Sequence, residues 1–211
     1  MPAVTPREAL ISIRRLRRAE LPLHTVALAR FLVGKIVVRE LSSVRLSGRI
    51  VETEAYPPRD PAAHHFRGPT QRTRSMFLSL GHAYVYFSYG NHFMLNVSAE
   101  APGIGGGVLI RALEPVEGIQ QMMRHRKTSR LLDLARGPGR LASALRIDRS
   151  LDATDLCAPG PLWLGAMTRP PALALLLGTS KRIGITHAAH RLLRFYLRGN
   201  PFVSGPRTLR S

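Results

Sequence analysis

The chain of 211 residues carries 31 basic against 13 acidic side chains, a formal net charge of +18, and is 45% hydrophobic. That length and apolar content suit one compact body with its own core. The single Cys157 excludes an intramolecular disulfide, and no Cys/His cluster has zinc-ligand spacing, so no structural metal is expected. A strongly positive field attracts a polyanion and releases its counterions, which makes nucleic acid the leading partner ahead of a membrane surface or anionic metabolites. Use of Arg with only three lysines (Lys35, Lys127 and Lys181) fits a GC-rich coding bias, but that bias leaves the shortage of acids unexplained.

Residues 1–20 read as a basic, peripheral lead-in carrying Arg14, Arg15, Arg17 and Arg18,. No export-type apolar segment follows them, and the longest apolar run, Ala172 to Leu177, is too short to span a bilayer,. A cytoplasmic protein without membrane contact is expected. Apolar spacing from Thr25 to Leu32 predicts a short helix closed by Gly34. Lys35 to Glu40 and Arg49 to Tyr56 are β-rich runs that pair most economically as a hairpin. Pro57 to Ser75 breaks all pattern, and a loop of that length is expected to be functional or disordered. Ala83 to Ser88 and Phe93 to Ala99 form a second strand pair, joined by Tyr89, Gly90, Asn91 and His92. Gly103 to Gly107 reads as a turn into the apolar strand Val108 to Leu113, after which Pro115 should open a helix over Val116 to Arg126. Residues 137–164 alternate short helical and loop signals, and Leu192 to Arg198 is a last strand before a Gly/Pro-rich end. Several hairpins and few strand-helix-strand units predict a single-domain α+β fold with a largely antiparallel sheet and packed short helices.

Chemistry concentrates in three places. Glu52, Glu54 and Tyr56 share one strand face, with Val51, Thr53 and Ala55 on the other. A solvated outer face accounts for strand glutamates in general, but here Tyr56 ends the strand where a long loop carrying His64 and His65 begins. Tyr84, Tyr86, Phe87, Tyr89 and Phe93 crowd one hairpin of a chain that is only 6% aromatic. Packing would explain Tyr84 and Tyr86, whereas an aromatic at a turn, Tyr89, is free to act as a wedge between bases or simply to stand exposed. Arg111 is a lone charge in an apolar strand and needs an anionic partner such as Glu54. Adjacent His64 and His65 lack the further ligands a metal would require.

These residues fall within blocks that resemble the alkyladenine (3-methyladenine) DNA glycosylase family. The blocks are Gly48-Arg-Ile-Val-Glu-Thr-Glu-Ala-Tyr56 with Ala62-Ala-His64, Tyr84-Val-Tyr-Phe-Ser-Tyr-Gly90, Met94-Leu-Asn96, Leu109-Ile-Arg-Ala-Leu-Glu-Pro115, Gly137-Pro-Gly-Arg-Leu141 and Leu193-Arg-Phe-Tyr-Leu-Arg-Gly199. They occur in the family order and extend over residues 22–204, within a glycosylase domain assigned to residues 21–211. The resemblance implies an α+β domain needing neither metal nor organic cofactor, and a monomer that flips a damaged purine out of double-stranded DNA and hydrolyses its N-glycosidic bond. It implies that Glu54 is the general base, holding the water that attacks C1′ with help from Arg111. Tyr56, His64 and Tyr86 would line the base pocket, Asn96 would sit at its floor, and Tyr89 would intercalate into the gap in the stack. Asn91-His92, the loop at Gly103 to Gly107 and His65-Phe66 depart from the family pattern, which bears on substrate preference more than on reaction class.

The chemistry is coherent with those roles. Departure of a purine builds positive charge on the sugar, which a carboxylate can stabilise while taking a proton from water. Alkylated purines are cationic, and tyrosine faces attract a desolvated cation by roughly 0.5–2 kcal/mol. No lysine falls beside these blocks to serve as a Schiff-base nucleophile, so simple hydrolysis leaving an abasic site is expected. A non-catalytic minor-groove DNA-binding protein would use the same charge and wedge but leaves Glu54 without a task. A metal-dependent nuclease has little support.

Overall fold

The computed structural model describes residues 12–88, 90–168 and 177–205. Its elements in chain order are β1 (Ile13–Arg15), α1 (Thr25–Leu32), β2 (Ile36–Glu40), β3 (Arg45–Tyr56), β4 (Ala83–Ser88), β5 (His92–Ser98), β6 (Gly107–Glu117), α2 (Ile119–Arg126), α3 (Pro138–Ala144), β7 (Leu162–Met167), β8 (Leu177–Ser180) and β9 (Arg194–Leu197). The described strands form one sheet in the order β1-β7-β2-β3-β6-β5-β4, with β8 pairing β9 and β9 pairing β3. Each of these pairings is antiparallel, and with three short helices the fold is α+β, as the pattern of hairpins predicts.

β3 is the spine. Residues 45–49 pair with β2, residues 52–54 pair with β9, and almost the whole strand pairs with β6. α1 covers this spine because Thr25, Leu28, Ala29 and Leu32, at helical spacing, form its buried stripe,. The Thr53 hydroxyl donates to the Ala29 carbonyl at 2.8 Å and ties helix to strand. Glu100 caps the start of α1, accepting from Thr25 N at 2.8 Å and from the Thr25 hydroxyl at 2.6 Å,.

Register between β3 and β6 shifts at three points, one between Ser47 and Gly48 and two close together further along: Ile50 faces Leu113, Glu52 faces Ala112 and Thr53 faces Ile110. Val51 and Arg111 are therefore the skipped residues of a bulge, which bends the sheet and re-aims the side chains around it. The expected alternation fails here. Val51 packs with Ala112, Tyr196 and Phe202 in a separate cluster, while Ala55 belongs to the main core.

Other differences have equally local causes. The helix expected from Val116 does not start there, because β6 runs to Glu117 and α2 begins at Ile119. Pro115 is tolerated in the strand because it faces Gly48 next to a register shift, where a missing N–H costs no regular ladder bond,. Gly118, at φ +71, then turns the chain into α2; a Cβ there would meet Leu46 and the Arg45 carbonyl, so glycine is required,. β7 is an unexpected strand. From residue 12 the supposed lead-in also belongs to the fold, since β1 pairs with β7 and Leu16 is buried in the core. The loop at 57–75 is a chain of turns joined by Asp60, Thr70 and Thr73, with a 3-10 turn starting at Arg74. Tyr89 and Ala172 to Leu176 lie outside the described residues. Among the described residues no helix is long and apolar enough to cross a membrane.

Candidate active site

One face of β3 and the edges of β4, β5 and β6 open onto a cavity of about 330 Å³. Tyr84 and Tyr86, on alternate positions of β4, stack with centroids 5.2 Å apart and 27° between planes. His64, from the loop after β3, stands edge-on to Tyr86 at 4.5 Å, with its Nδ1 3.1 Å from the Tyr84 hydroxyl. Asn96 and Leu109 line the cavity from the paired strands β5 and β6, and the Asn96 amide donates to the Tyr84 carbonyl at 3.2 Å. Tyr56 and Arg111 face it from β3 and β6, and the segment from Ile183 to His187 supplies the remaining side. Met76 also lines it, backed by Gly107, whose hydrogen leaves the room a Cβ would take from the Met76 methyl.

Behind Tyr56 and Arg111 lies a buried charge cluster. Glu52 and Glu54 are both 0% exposed. Arg111 reaches both, with Nε 2.8 Å from Glu52 Oε1 and Nη1 3.3 Å from Glu54 Oε1. Glu52 also accepts from Arg194 Nε at 2.7 Å, the Ser204 hydroxyl at 2.9 Å and Ser204 N at 2.7 Å. Two carboxylates and two guanidiniums thus balance within the cluster, as burial demands. Burial works against the charge on Arg111, yet Glu54 and then Glu52 hold its pKa above the ordinary value. Glu54 accepts from Ile183 N at 2.8 Å through Oε1 and from the Tyr56 hydroxyl at 2.9 Å through Oε2. Burial, reinforced by the Glu54 charge, pushes the Tyr56 phenol far up, so at neutral pH it stays protonated and donates.

A second buried pair fixes the loop. Arg182 and Asp60 meet in a two-pronged contact at 2.8 and 3.1 Å, and Arg182 also donates to the Ala55 carbonyl at 3.0 Å and lies 4.5 Å over the Tyr56 ring,. Asp60 therefore anchors the loop that carries His64, while Arg182 positions the Ile183 amide that holds Glu54. Sequence reasoning missed both, and Ile183 acts through its backbone.

Six expected site residues converge here: Glu54, Arg111, Tyr56, His64, Tyr86 and Asn96. Glu54 stands just behind the cavity wall rather than on its surface. The seventh, Tyr89, lies outside the described residues. Burial lowers the pKa of His64, with Arg72 and His65 adding to the effect, so its imidazole is neutral at pH 7. Among the described residues no group of three or more His, Cys, Asp or Glu side chains could hold a metal ion.

His65 gives a pH test of the loop. It is 4% exposed and burial lowers its pKa below the ordinary 6.5. The unfolded chain then binds a proton that the fold resists, so stability falls as pH drops below about 6.5. The urea midpoint is expected to drop between pH 7 and pH 5 and His65→Phe to shrink that drop; an unchanged drop in the variant would assign the effect to other groups.

A strongly cationic protein with an aromatic-walled cavity backed by a carboxylate–arginine pair is built as an enzyme acting on a base extruded from nucleic acid. The chain belongs to the methylpurine-DNA glycosylase family, whose model matches residues 20–201. It is a DNA glycosylase of base-excision repair. A relative from Mesorhizobium japonicum is 64% identical over 192 residues, spanning 91% of each chain. Others from Paraburkholderia phytofirmans (48% over 203 residues, 96% of this chain and 94% of the relative) and Methanoculleus marisnigri (47% over 181 residues, 85% and 93%) are similar along nearly their whole length. All three carry the provisional name 3-methyladenine DNA glycosylase. These likenesses lend no support to the non-catalytic DNA-binding reading.

Proposed function

We propose that the chain excises alkylated and otherwise damaged purines from double-stranded DNA by direct hydrolysis, with Glu54 as general base. The observation that carries this reading is the hydrogen-bond state of Glu54. A carboxylate has about four lone-pair sites; Ile183 N donates to Oε1, which Arg111 Nη1 also faces in an ion pair at 3.3 Å, and the Tyr56 hydroxyl takes one site on Oε2. One acceptor site remains on Oε2, beside Tyr56 at the cavity wall, where a water can be held and deprotonated as the sugar becomes cationic. Because Glu54 has no exposed surface, a shift of the Tyr56 side chain accompanies delivery of that water. Arg111, clamped by Glu52, keeps the Glu54 carboxylate oriented.

The base sits between the Tyr84–Tyr86 pair, Tyr56 and His64. A neutral His64 adds no charge against an alkylated, cationic purine, and the tyrosine faces attract it,. Asn96 limits what a purine can carry on its inner edge. Tyr89 is assigned as the wedge from its sequence position between β4 and Gly90. The protein acts as a monomer, without metal or organic cofactor, in the cytoplasm with the DNA.

None of the three lysines lines the cavity, so among the described residues no side-chain amine is placed to form a Schiff base. Duplexes carrying one 7-methylguanine or one hypoxanthine, and an undamaged control, are incubated with the protein in EDTA, with and without borohydride. Free base is expected from the damaged duplexes alone, with no trapped adduct. A trapped adduct would demand an amine nucleophile, loss of activity in EDTA would demand a metal, and tight binding without release would favour a binding protein.

A further inference from the structure

A basic groove adjoins the base cavity. Arg72, Arg74 and Arg149 line it with Gln71, Asp152 and Ala153, so three cations face one acid. Asp152 is already engaged, since its Oδ1 accepts from the Ser75 hydroxyl at 2.8 Å and from Val85 N at 2.9 Å. Arg149 is held in place by the Val85 carbonyl at 3.1 Å. Among the described residues no salt bridge joins any of the three arginines to an acid, although twelve other arginines have one. Exposed, uncompensated guanidiniums match a phosphodiester in charge and in hydrogen-bond geometry.

Arg72 belongs to both sites. Its guanidinium lies 5.4 Å over the Tyr86 ring, and its charge also bears on His64 and on the Tyr84 hydroxyl. A cation on an aromatic face occupies the attraction that a second cation would use, and repels it.

We propose that this groove seats a DNA phosphate next to the extruded nucleotide, and that the phosphate, by engaging Arg72, frees the Tyr86 face for a cationic base. The inference rests on the reading of the cavity as the base pocket. Its consequence is selectivity for damage within a polymer. A methylated base presented on DNA arrives with the phosphate that neutralises Arg72, whereas a free methylated nucleoside has none and meets an opposing charge. A neutral lesion is indifferent to Arg72 in either form.

The test compares wild type with Arg72→Met and Arg74→Met, both at exposed positions where folding is not at stake. Anisotropy titrations of a duplex containing an abasic-site analogue, over a range of salt, are expected to lose about one unit of slope of log K against log salt in each variant, the mark of one lost phosphate contact. Nucleoside competition at pH 6 then uses 7-methylguanosine, a cation without a phosphate, and inosine, its neutral counterpart. Arg72→Met is expected to bind 7-methylguanosine about 2- to 5-fold more tightly than wild type, with inosine unchanged, and Arg74→Met is expected to alter neither. Unchanged salt slopes in both variants would remove the phosphate seat. An equal gain for both nucleosides in Arg72→Met would remove the charge competition. Failure of wild type to release 7-methylguanine from DNA would instead overturn the reading of the cavity, which the salt slopes do not depend on.

Discussion

Glu54→Gln is expected to slow single-turnover release of 7-methylguanine by about 10²- to 10⁴-fold, while affinity for the damaged duplex holds or rises. Glutamine is nearly isosteric, and its carbonyl oxygen can still accept from Ile183 N in place of Oε1. Arg111 stays compensated because its closer partner is Glu52, at 2.8 Å. The fold should therefore survive, and what disappears is the charge that faces the developing sugar cation and the lone pair that takes the proton from water. Loss of a negative charge beside the phosphate backbone also removes a repulsion, so binding does not weaken. A variant that keeps its rate within about tenfold, below the usual contribution of a general base, would show that Glu54 does not act as one.

Replacing the neighbouring carboxylate should do something different. Glu52→Gln is expected to destabilise the protein by about 3–5 kcal/mol, because it removes the negative partner of two buried guanidiniums. On about 2–4 °C of melting temperature per kcal/mol for a chain of this size, that is a fall of about 6–20 °C. Glu52 accepts from Arg111, from Arg194 and twice from Ser204, and a neutral amide would present its own N–H groups to some of these donors. The control is Glu40→Gln, whose pair with Arg45 is 36% and 47% exposed and worth about 0–1 kcal/mol. Calorimetric melting of both variants decides the matter: equal small losses would mean that the buried cluster does not hold β3, β6 and β9 together.

The contrast shows what the chain discloses before it folds. Glu52 and Glu54 were visible as a charged pair on a strand that ends in Tyr56 at the start of a long loop, and Arg111 as a charge in search of a partner. Which carboxylate takes which task was not visible, because both are at the same period-two spacing. The division is made by a double bulge at Val51 and Arg111 and by β9, neither of which leaves a local signature. Arg194 and Ser204 reach Glu52 from over 140 residues away, and the Ile183 amide is a backbone group that no side-chain pattern can announce. The hairpins were legible because a polar Ser42-Ser43 stretch and a Gly90-Asn91 turn separate the β-rich runs. β7 was not, since Leu162 to Met167 is one short apolar run with no period to distinguish strand from helix,. Pro115 misled for a related reason: it resembles a helix start unless the bulge that tolerates it is known.

The doubly paired centre of β3 also separates two kinds of stiffness. Residues 52–54 are bonded to β6 on one side and β9 on the other, so their amides should open only when the whole molecule does. His64 and Arg72 sit on turns of the 57–75 loop, fixed at a few points such as Asp60 and Thr73. Substitutions that change which bases are admitted can therefore accumulate along that rim without moving the carboxylate that performs the chemistry, and one invariant reaction centre can serve a range of lesion spectra.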